Sequence, residues 1–336
     1  MMTLSGARVG FAAMLEQLAP SRAVALAERA EGAGFRGTMA SDHFQPWLPR
    51  QANASFVWNV LSAVGVRTTG DLGPGALTPT FRWHPAMVAQ ASATLAAMYP
   101  GRHWLGLGSG DAISEHVTGE YWPEPHERIS RLFEAIELIK KLFAASAAGR
   151  DVRHRGQYFK MESTRLWTMP AKPPPILVAT SGPVTAHRAG KTVDGLITMN
   201  APIERLALLL DRFNAGVRES GRRLEDADRI LQLHLSWAAT DEEAVANAVR
   251  EWPNGAIGPV KSDVRSPFEF AQMGRLVGPD SFEGRVSISA DPEVHRRVIQ
   301  RCLDVGFDRV YLHNVGPNQE EWIDVFGRDV LPGLTG

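Results

Sequence analysis

A repeated unit constrains the fold of this chain more than any other feature of its sequence: a helical segment, a glycine and a short apolar strand. The unit spans residues 21–41, 184–198 and 298–313, and Gly190 and Gly306 end two of its three helices. A glycine that ends a helix and leads into a buried strand is typical of chains that alternate α and β elements. The repetition therefore predicts an α/β fold with parallel strands.

The whole chain can be divided into eight such units. The predicted strands are residues 8–13, 36–41, 73–78, 104–109, 176–181, 194–198, 230–237 and 309–313. The predicted helices are residues 21–31, 56–66, 85–98, 126–145, 183–190, 203–219, 241–250 and 318–330. Eight βα units in 336 residues predict one (β/α)8 TIM barrel domain over residues 1–336. A doubly wound sheet is the competing architecture, but it usually has a glycine-rich phosphate turn after its first strand, which this sequence lacks.

Two segments do not fit the repeat, and we expect both to be insertions in the barrel. Residues 151–175 contain Tyr158, Phe159 and several prolines, and they predict a small hairpin. Residues 251–290 are longer and rich in glycine, proline and charge. Segments of this length in a compact domain are usually lids or binding segments.

Charge and cysteine content limit the possible partners. Lys and Arg number 36 and Asp and Glu number 37, so there is no basic surplus for binding nucleic acid. The sequence has no run of about 18 apolar residues that would cross a membrane, and residues 1–10 lack the apolar segment of a secretory signal. Since Cys302 is the single cysteine, we expect a reduced, cytoplasmic protein.

The active site of a (β/α)8 barrel lies at the C-terminal ends of its strands, and this rule selects candidate residues. Asp42 and His43 follow the second predicted strand and precede aromatic residues. An imidazole can accept a proton near neutral pH, and a neighbouring carboxylate can fix its tautomer. A solvated loop pair is the alternative for an Asp-His dipeptide, but its place at a strand end favours a functional role.

Two glycine-containing turns also follow predicted strands. Residues 108–111 read Gly-Ser-Gly-Asp, which suits close approach of a ring or phosphate and offers Asp111 as an acid. A tight turn before a helix that Asp111 caps explains the same residues equally well. Residues 181–183 read Ser-Gly-Pro at a helix start, where free N–H groups favour a phosphate.

The sequence lacks the motifs of several other classes of enzyme. The ten histidines include no HExxH motif, and one cysteine cannot build a thiolate site, so we expect no metal. A GxSxG nucleophile turn and a Walker loop are also missing from the sequence. Hydrolase, kinase and zinc-enzyme functions are therefore disfavoured.

Four segments resemble a known family and occur in its order: SDHFQPW (41–47), LTPTFR (77–82), GLGSGDAISE (106–115) and SGPVTAHRAG (181–190). The chain resembles the deazaflavin-dependent branch of the luciferase-like superfamily, most closely its coenzyme F420-dependent glucose-6-phosphate dehydrogenase group. The resemblance extends from residue 8 to about residue 331, and its most specific motifs are SDHFQPW and LTPTFR. It implies a (β/α)8 barrel, coenzyme F420 as hydride acceptor and commonly a homodimer.

The resemblance also implies roles for individual residues. His43 matches the base that removes the substrate hydroxyl proton, Trp47 matches a tryptophan beside the reacting carbon, and Glu16 matches an acidic residue after the first strand, on the substrate side. Gly75 and Ala76 match a non-prolyl cis peptide behind the coenzyme ring. The residues that match coenzyme-binding positions are Asp42, Gly75, Ala76, Thr78, Ser109, Gly110, Ser114, Ser181, Gly182, Val184 and Thr185.

The sequence departs from the group's pattern at two places. Asp111 stands where the group has a glutamate that gives a proton to the reduced ring, and an aspartate is one methylene shorter. Met199 and Pro202 stand where the group has a threonine and a lysine that bind the substrate phosphate, and neither side chain can do so. Lys261 and Arg285 match the remaining basic ligands of that phosphate.

These observations predict an F420-dependent oxidoreductase. Hydride passes from a substrate C–OH group (in a sugar phosphate, a sugar or another alcohol) to C5 of the deazaflavin, with His43 as base and Asp111 as proton donor. An FMN-dependent luciferase-like monooxygenase is the alternative enzyme on the same fold. A non-catalytic barrel subunit is the third hypothesis, which the presence of His43 and Asp111 disfavours.

Overall fold

The computed structural model describes residues 8–335, in which eleven strands are formed. They are β1 (Val9–Ala13), β2 (Thr38–Ala40), β3 (Leu72–Pro74), β4 (Leu105–Leu107), β5 (Val152–Arg155), β6 (Lys160–Thr164), β7 (Ile176–Ala179), β8 (Gly195–Met199), β9 (Asp228–Ser236), β10 (Ser287–Ile288) and β11 (Arg309–Asn314). Eight of these strands pair in parallel in the order β3-β2-β1-β11-β9-β8-β7-β4. Isolated parallel bridges from Leu72 to His103 and from Leu77 to Leu107 join the two edges into a barrel. All eight predicted strands and the (β/α)8 fold class are thus confirmed.

The helices in the described residues lie between these strands. They are α1 (Pro20–Gly32), α2 (Val57–Arg67), α3 (Pro85–Met98), α4 (Ala112–Glu115), α5 (Pro125–Ala147), α6 (Pro183–Thr192), α7 (Ile203–Glu219), α8 (Asp241–Glu251), α9 (Pro267–Gly274), α10 (Pro292–Asp304) and α11 (Gln319–Val325). Proline at the first turn begins many of them, because its missing N–H is not needed there. The predicted last helix is two elements: α11 and a wider π turn over Phe326–Val330.

Two layers of apolar side chains alternate along the barrel strands. On β9, Leu231, Leu233 and Leu235 belong to the large core between strands and helices. Ile230 belongs to a smaller cluster inside the barrel, together with Trp104 and Tyr311. Since successive strand residues point to opposite faces, the even-numbered residues of β9 point into the barrel. Polar groups at the C-terminal end of that face therefore line its mouth.

The two segments predicted as insertions have structure of their own. Strands β5 and β6 form the predicted antiparallel hairpin, and the carboxylate of Glu134 accepts hydrogen bonds from the backbone N–H groups of residues 157–159 at its turn. The second segment contains α9 and β10, and β10 pairs with β9. Phe270 and Phe282 of this segment share a buried cluster with Trp47. The second segment thus packs beside the SDHFQPW loop.

Some expectations concern the environment of the chain. No helix within residues 8–335 has the length and hydropathy needed to span a bilayer. The prediction that there is no secretory signal falls largely on residues 1–7, which lie outside the described residues. Cys302 is buried and has no disulfide partner.

Candidate active site

His43 lies just beyond β2 at the mouth of the barrel, and its orientation is fixed by a buried acid. Its Nδ1 forms a short hydrogen bond with the carboxylate of Glu16, and Glu16 has no exposed surface. The other carboxylate oxygen accepts a bond of 2.9 Å from Ser41 Oγ, and Ser41 Oγ accepts one of 2.8 Å from the backbone of Leu15. Because Nδ1 is engaged, Nε2 of the part-exposed ring is the nitrogen left for a ligand.

The surroundings of His43 favour its protonated form. Burial is the largest single influence and lowers the pKa of His43, but the charge and hydrogen bond of Glu16 act in the opposite direction. The charges of Asp111 and Asp42 add to the effect of Glu16, and the pKa of His43 is raised overall. The site therefore combines a strengthened base with a carboxylate that stabilises its charged form.

Asp42 forms no hydrogen bond with the imidazole of its neighbour within the described residues. Its carboxylate pairs at 2.7 Å with the guanidinium of Arg82, which also pairs at 3.0 Å with Glu115. All three side chains are at most 6% exposed. Sequence reasoning missed Arg82 and Glu115, although both stand inside the motifs that carried the family resemblance. Their network joins the loops that follow β2, β3 and β4.

Trp47 forms one wall of the mouth. Its ring lies edge-on to that of His43, with centroids 4.7 Å apart, and at 90° to Phe270 of the second insertion. The Nζ atom of Lys261, also in that insertion, lies 5.8 Å from the centroid of Trp47. The structure thus brings Lys261 beside the two residues predicted to surround the reacting carbon.

The charge of Asp111 acts on Lys261 across the mouth. Burial lowers the pKa of Lys261, the charge of Asp111 opposes this effect, and the charge of Arg285 adds to it. Asp111 immediately precedes α4, and no side-chain bond from it caps that helix. Its carboxylate is therefore not used as a helix cap, and its charge acts on both Lys261 and His43.

Residues with small side chains, or none, line a surface inside the mouth of the barrel, which we call the floor. The peptide between Gly75 and Ala76 is cis, as the family resemblance implied. A Cβ atom added at Gly108 would have as nearest neighbours the Cβ atoms of Ala76, at 3.7 Å, and Ala179, at 3.9 Å. Gly110, with φ of 86°, turns the chain beside Thr78. A floor without long side chains fits a flat aromatic ring, so the residues present suit the expected type of coenzyme.

The start of α6 offers a second part of a coenzyme site. Gly182 is its N-cap residue, and no side chain caps the free N–H groups of the first turn. Ser181 and Val184 are exposed, and Arg205 of α7 donates a hydrogen bond of 3.0 Å to the carbonyl of Ser181. Free N–H groups at a helix start, with a guanidinium beside them, suit a phosphate. Arg205 was not among the predicted residues.

The remaining predicted residues have varied surroundings. Ser109 and Thr185 are partly exposed and Thr78 is buried. The hydroxyl of Ser114 accepts a hydrogen bond of 3.1 Å from the backbone of Phe44, so this residue also holds the loop that carries His43. Met199 is 40% exposed at the end of β8, and Arg285 is exposed.

Comparison with known proteins shows which family this chain is related to. A sequence profile described as luciferase-like monooxygenase matches residues 2–309. A curated protein of Nakamurella multipartita named F420-dependent glucose-6-phosphate dehydrogenase is 37% identical, over 99% of this chain and 98% of its own length. A protein of the same name from Intrasporangium calvum is 36% identical, over 98% of this chain and 99% of its own length.

Solved structures resemble the barrel over its whole length. An F420-dependent secondary alcohol dehydrogenase in complex with an F420-acetone adduct is 29% identical, with a TM-score of 0.92, over 98% of this chain and 100% of that one. A coenzyme F420-dependent tetrahydromethanopterin reductase of Methanopyrus kandleri is 21% identical, with a TM-score of 0.78, over 98% of this chain and 100% of that one. At that identity the second likeness supports the fold alone.

Proposed function

This chain belongs to the luciferase-like family, within it to the group whose curated relatives are named F420-dependent glucose-6-phosphate dehydrogenase, and from this premise we propose that it oxidises an alcohol with coenzyme F420. The observation that carries the proposal is the buried Glu16 carboxylate bonded to His43 at an open barrel mouth. A carboxylate that fixes the tautomer of an imidazole and strengthens it as a base is what removal of a hydroxyl proton requires.

His43 acts as the general base. With Nδ1 bonded to Glu16, the lone pair of Nε2 accepts the proton of the substrate hydroxyl. Glu16 has no exposed surface, so it acts on the substrate through His43 rather than by direct contact, which differs from its predicted place among the substrate-binding residues. Trp47, whose ring meets that of His43 edge-on, limits the positions that the reacting carbon can take and excludes water.

The floor around Ala76, Gly108 and Ala179 would hold the ring of the coenzyme, and the first turn of α6 would hold its phosphate-bearing tail. When bound, F420 supplies a ring carbon, C5, that accepts two electrons as a hydride. Asp111 gives a proton to nitrogen N1 of the ring.

The substrate class follows from the groups around the mouth. Lys261 and Arg285 provide positive charge, whereas Met199 and Pro202 provide no phosphate ligand. We therefore propose a sugar or other alcohol as the substrate, with glucose 6-phosphate bound only weakly. In line with the family resemblance, we further propose a single barrel domain that forms a homodimer in the cytoplasm.

The test is a titration followed by a substrate panel. Purified protein should quench the fluorescence of oxidised F420 on binding, and a panel of alcohols, sugars and sugar phosphates should include compounds that cause loss of oxidised deazaflavin absorbance. Failure to bind F420 would contradict the proposal. Binding of FMN, recognised by its two visible absorption bands, together with consumption of oxygen would instead support the monooxygenase alternative.

A further inference from the structure

A second imidazole lies at the barrel mouth and has no place in the mechanism above. His234 is on the inward face of β9, close to its C-terminal end. Its ring lies 5.2 Å from that of Trp252 and 5.1 Å from that of His313. Trp252 belongs to the same buried cluster as Trp47, and the charge of Lys261 acts on His234, so His234 lies on the same side of the barrel as Lys261 and Trp47.

A chain of hydrogen bonds starts beside Glu16 and ends at His234. Gln17 Nε2 donates a bond of 3.0 Å to the carbonyl of Val315. Gln17 Oε1 lies 2.7 Å from His313 Nε2, and His313 Nδ1 lies 2.9 Å from His234 Nδ1. Each of these hydrogen bonds determines which nitrogen of the next side chain carries a proton.

The carbonyl of Val315 can only accept a hydrogen bond, so it must face the amide nitrogen of Gln17. The amide oxygen of Gln17 then faces His313 and can only accept, so Nε2 of His313 carries a proton. In a neutral imidazole the other nitrogen has a lone pair, and Nδ1 of His313 is therefore an acceptor. The proton between the two rings must belong to Nδ1 of His234.

Both rings are neutral in this arrangement. Burial, together with a smaller effect of the positive charge of Lys261, lowers the pKa of His234 to about 3. Burial also holds the pKa of His313 well below its usual value, with His234 as a further contribution. Lys261 is the only charged group among those that act on either ring in the described residues, and it forms no hydrogen bond with His234.

The order of protons leaves Nε2 of His234 as a free acceptor. It has no hydrogen-bond partner within residues 8–335, and it is not among the buried unsatisfied atoms, so solvent reaches it. Such an atom binds an O–H or N–H group and repels the oxygens of a phosphate or a carboxylate. The mouth thus offers two different imidazole nitrogens: a base on His43 and a fixed neutral acceptor on His234.

We propose that His234 is a substrate-binding residue that accepts a hydrogen bond from a second hydroxyl group, so that the enzyme selects diols and sugars over simple alcohols. The inference rests on the proposed function and narrows its substrate class. A neutral hydrogen bond contributes about 1 kcal/mol, which corresponds to a preference of about five- to tenfold.

The arrangement of protons can be tested without any activity. Protein labelled isotopically in its histidine rings should show, in a long-range proton–nitrogen correlation spectrum, the ring of His234 with a proton on Nδ1 and a bare Nε2, in addition to similar signals from His43, His103 and His116, whose Nδ1 atoms face a carboxylate or a carbonyl oxygen. The signal of His234 should vanish in His234→Leu and should change in Gln17→Met, which keeps both imidazoles but removes the group that orients them. A proton on Nε2 of His234 in the wild-type protein would overturn the inference.

The substrate preference is tested with matched pairs: propan-2-ol against propane-1,2-diol, and cyclohexanol against trans-cyclohexane-1,2-diol. The wild-type enzyme should favour a diol in kcat/KM by about five- to tenfold, and His234→Leu should lose this preference. His126→Gln, a change at an exposed histidine of α5, should keep it. Gln17→Met should weaken it if His234→Leu does not fold.

The outcomes separate the two proposals. Absence of turnover with every alcohol, in protein that is folded by circular dichroism, overturns the proposed function. Turnover with the same preference in wild type and His234→Leu, or with no preference in wild type, overturns only the role of His234.

Discussion

The carboxylate of Glu16 accepts a hydrogen bond from Nδ1 of His43, while the next residue along the chain, Gln17, orients His313. Two consecutive residues beyond β1 thus fix two imidazoles in different directions. The first imidazole is made more basic by a buried charge, whereas the second is kept neutral by burial and oriented by an amide. The two residues that follow β1 therefore determine which ring nitrogens of His43 and His313 carry a proton.

Removal of the charge of Glu16 should weaken the base. In Glu16→Gln the pKa of His43 should fall, because the group that raises it most is neutral. The acid limb of the profile of kcat/KM against pH, where His43 loses its proton, should move to lower pH. At high pH the rate should drop by about ten- to a hundredfold, since a weaker base removes the hydroxyl proton more slowly.

Glu242→Gln, at an exposed position of α8, is the control. An unmoved acid limb would mean that Glu16 does not set the basicity of His43.

Deletion of the imidazole should separate catalysis from binding. His43→Ala should lower kcat by a factor of about a hundred or more, since general base catalysis contributes this much. The dissociation constant of F420, measured by fluorescence quenching, should change less than about threefold because His43 faces the substrate. A variant with wild-type turnover would refute the role of His43, and one that loses coenzyme affinity would place His43 in the coenzyme site instead.

The substrate phosphate site should be restorable. Met199 is partly exposed at the mouth, and Pro202 is the N-cap residue of α7 with φ of −50°, which other residues also adopt. The double variant Met199→Thr and Pro202→Lys should therefore fold and supply a hydroxyl and a cation. We expect kcat/KM for glucose 6-phosphate to rise by about tenfold or more, as one charge-assisted bond contributes about 1.5–3 kcal/mol. Unphosphorylated glucose is the control substrate, and an equal rise for both would indicate a change unrelated to phosphate.

The ion-pair network around Arg82 should make stability depend on pH. Burial raises the pKa of Glu115 from 4.5 to about 7, and the charge of Arg82 only partly opposes this rise. Between these two values the folded protein holds a proton that the unfolded chain has lost, so the free energy of unfolding falls as pH rises. The effect amounts to roughly 3 kcal/mol over the whole interval.

Glu115→Gln removes this titration. The difference in free energy of unfolding between wild type and variant, measured by urea denaturation from pH 5 to pH 8, should therefore shift in favour of the variant as pH rises. Glu120→Gln, at an exposed glutamate nearby, should show no such shift. A difference that stays constant with pH would show that Glu115 is ionised throughout.

The fold could be predicted from sequence because each barrel strand is a short apolar run with its own helix. Residues 85–98 and 203–219 were predicted with the bounds that α3 and α7 have. The last helix was not, because the wide turn from Phe326 to Val330 keeps helical spacing of apolar residues while its hydrogen bonds change. Periodicity reports which face is buried, and it does not distinguish α from π turns.

The candidate site was only partly predictable. His43 and Asp111 follow strands, so the barrel rule selected them without any knowledge of contacts, and the family resemblance added Trp47. The partner of His43 was beyond that rule, because Asp42 is adjacent in sequence yet points to Arg82. The chain from Gln17 through His313 to His234 joins residues almost 300 positions apart, and no local pattern predicts such pairs.

Asp111 should be replaceable by a longer acid but not by an amide. Asp111→Asn cannot give a proton to the coenzyme ring, so kcat should fall by about a hundredfold. It also removes a charge that raises the pKa values of His43 and Lys261, and the acid limb of the pH profile should therefore move to slightly lower pH. Asp111→Glu keeps the carboxyl group, at the length that the family resemblance implies for this position, and should keep most of the activity. Asp280→Asn, at an exposed aspartate of the second insertion, is the matched control. If Asp111→Asn keeps wild-type kcat while Asp111→Glu loses it, space rather than proton transfer governs this position, and the ring must take its proton from another group at the mouth.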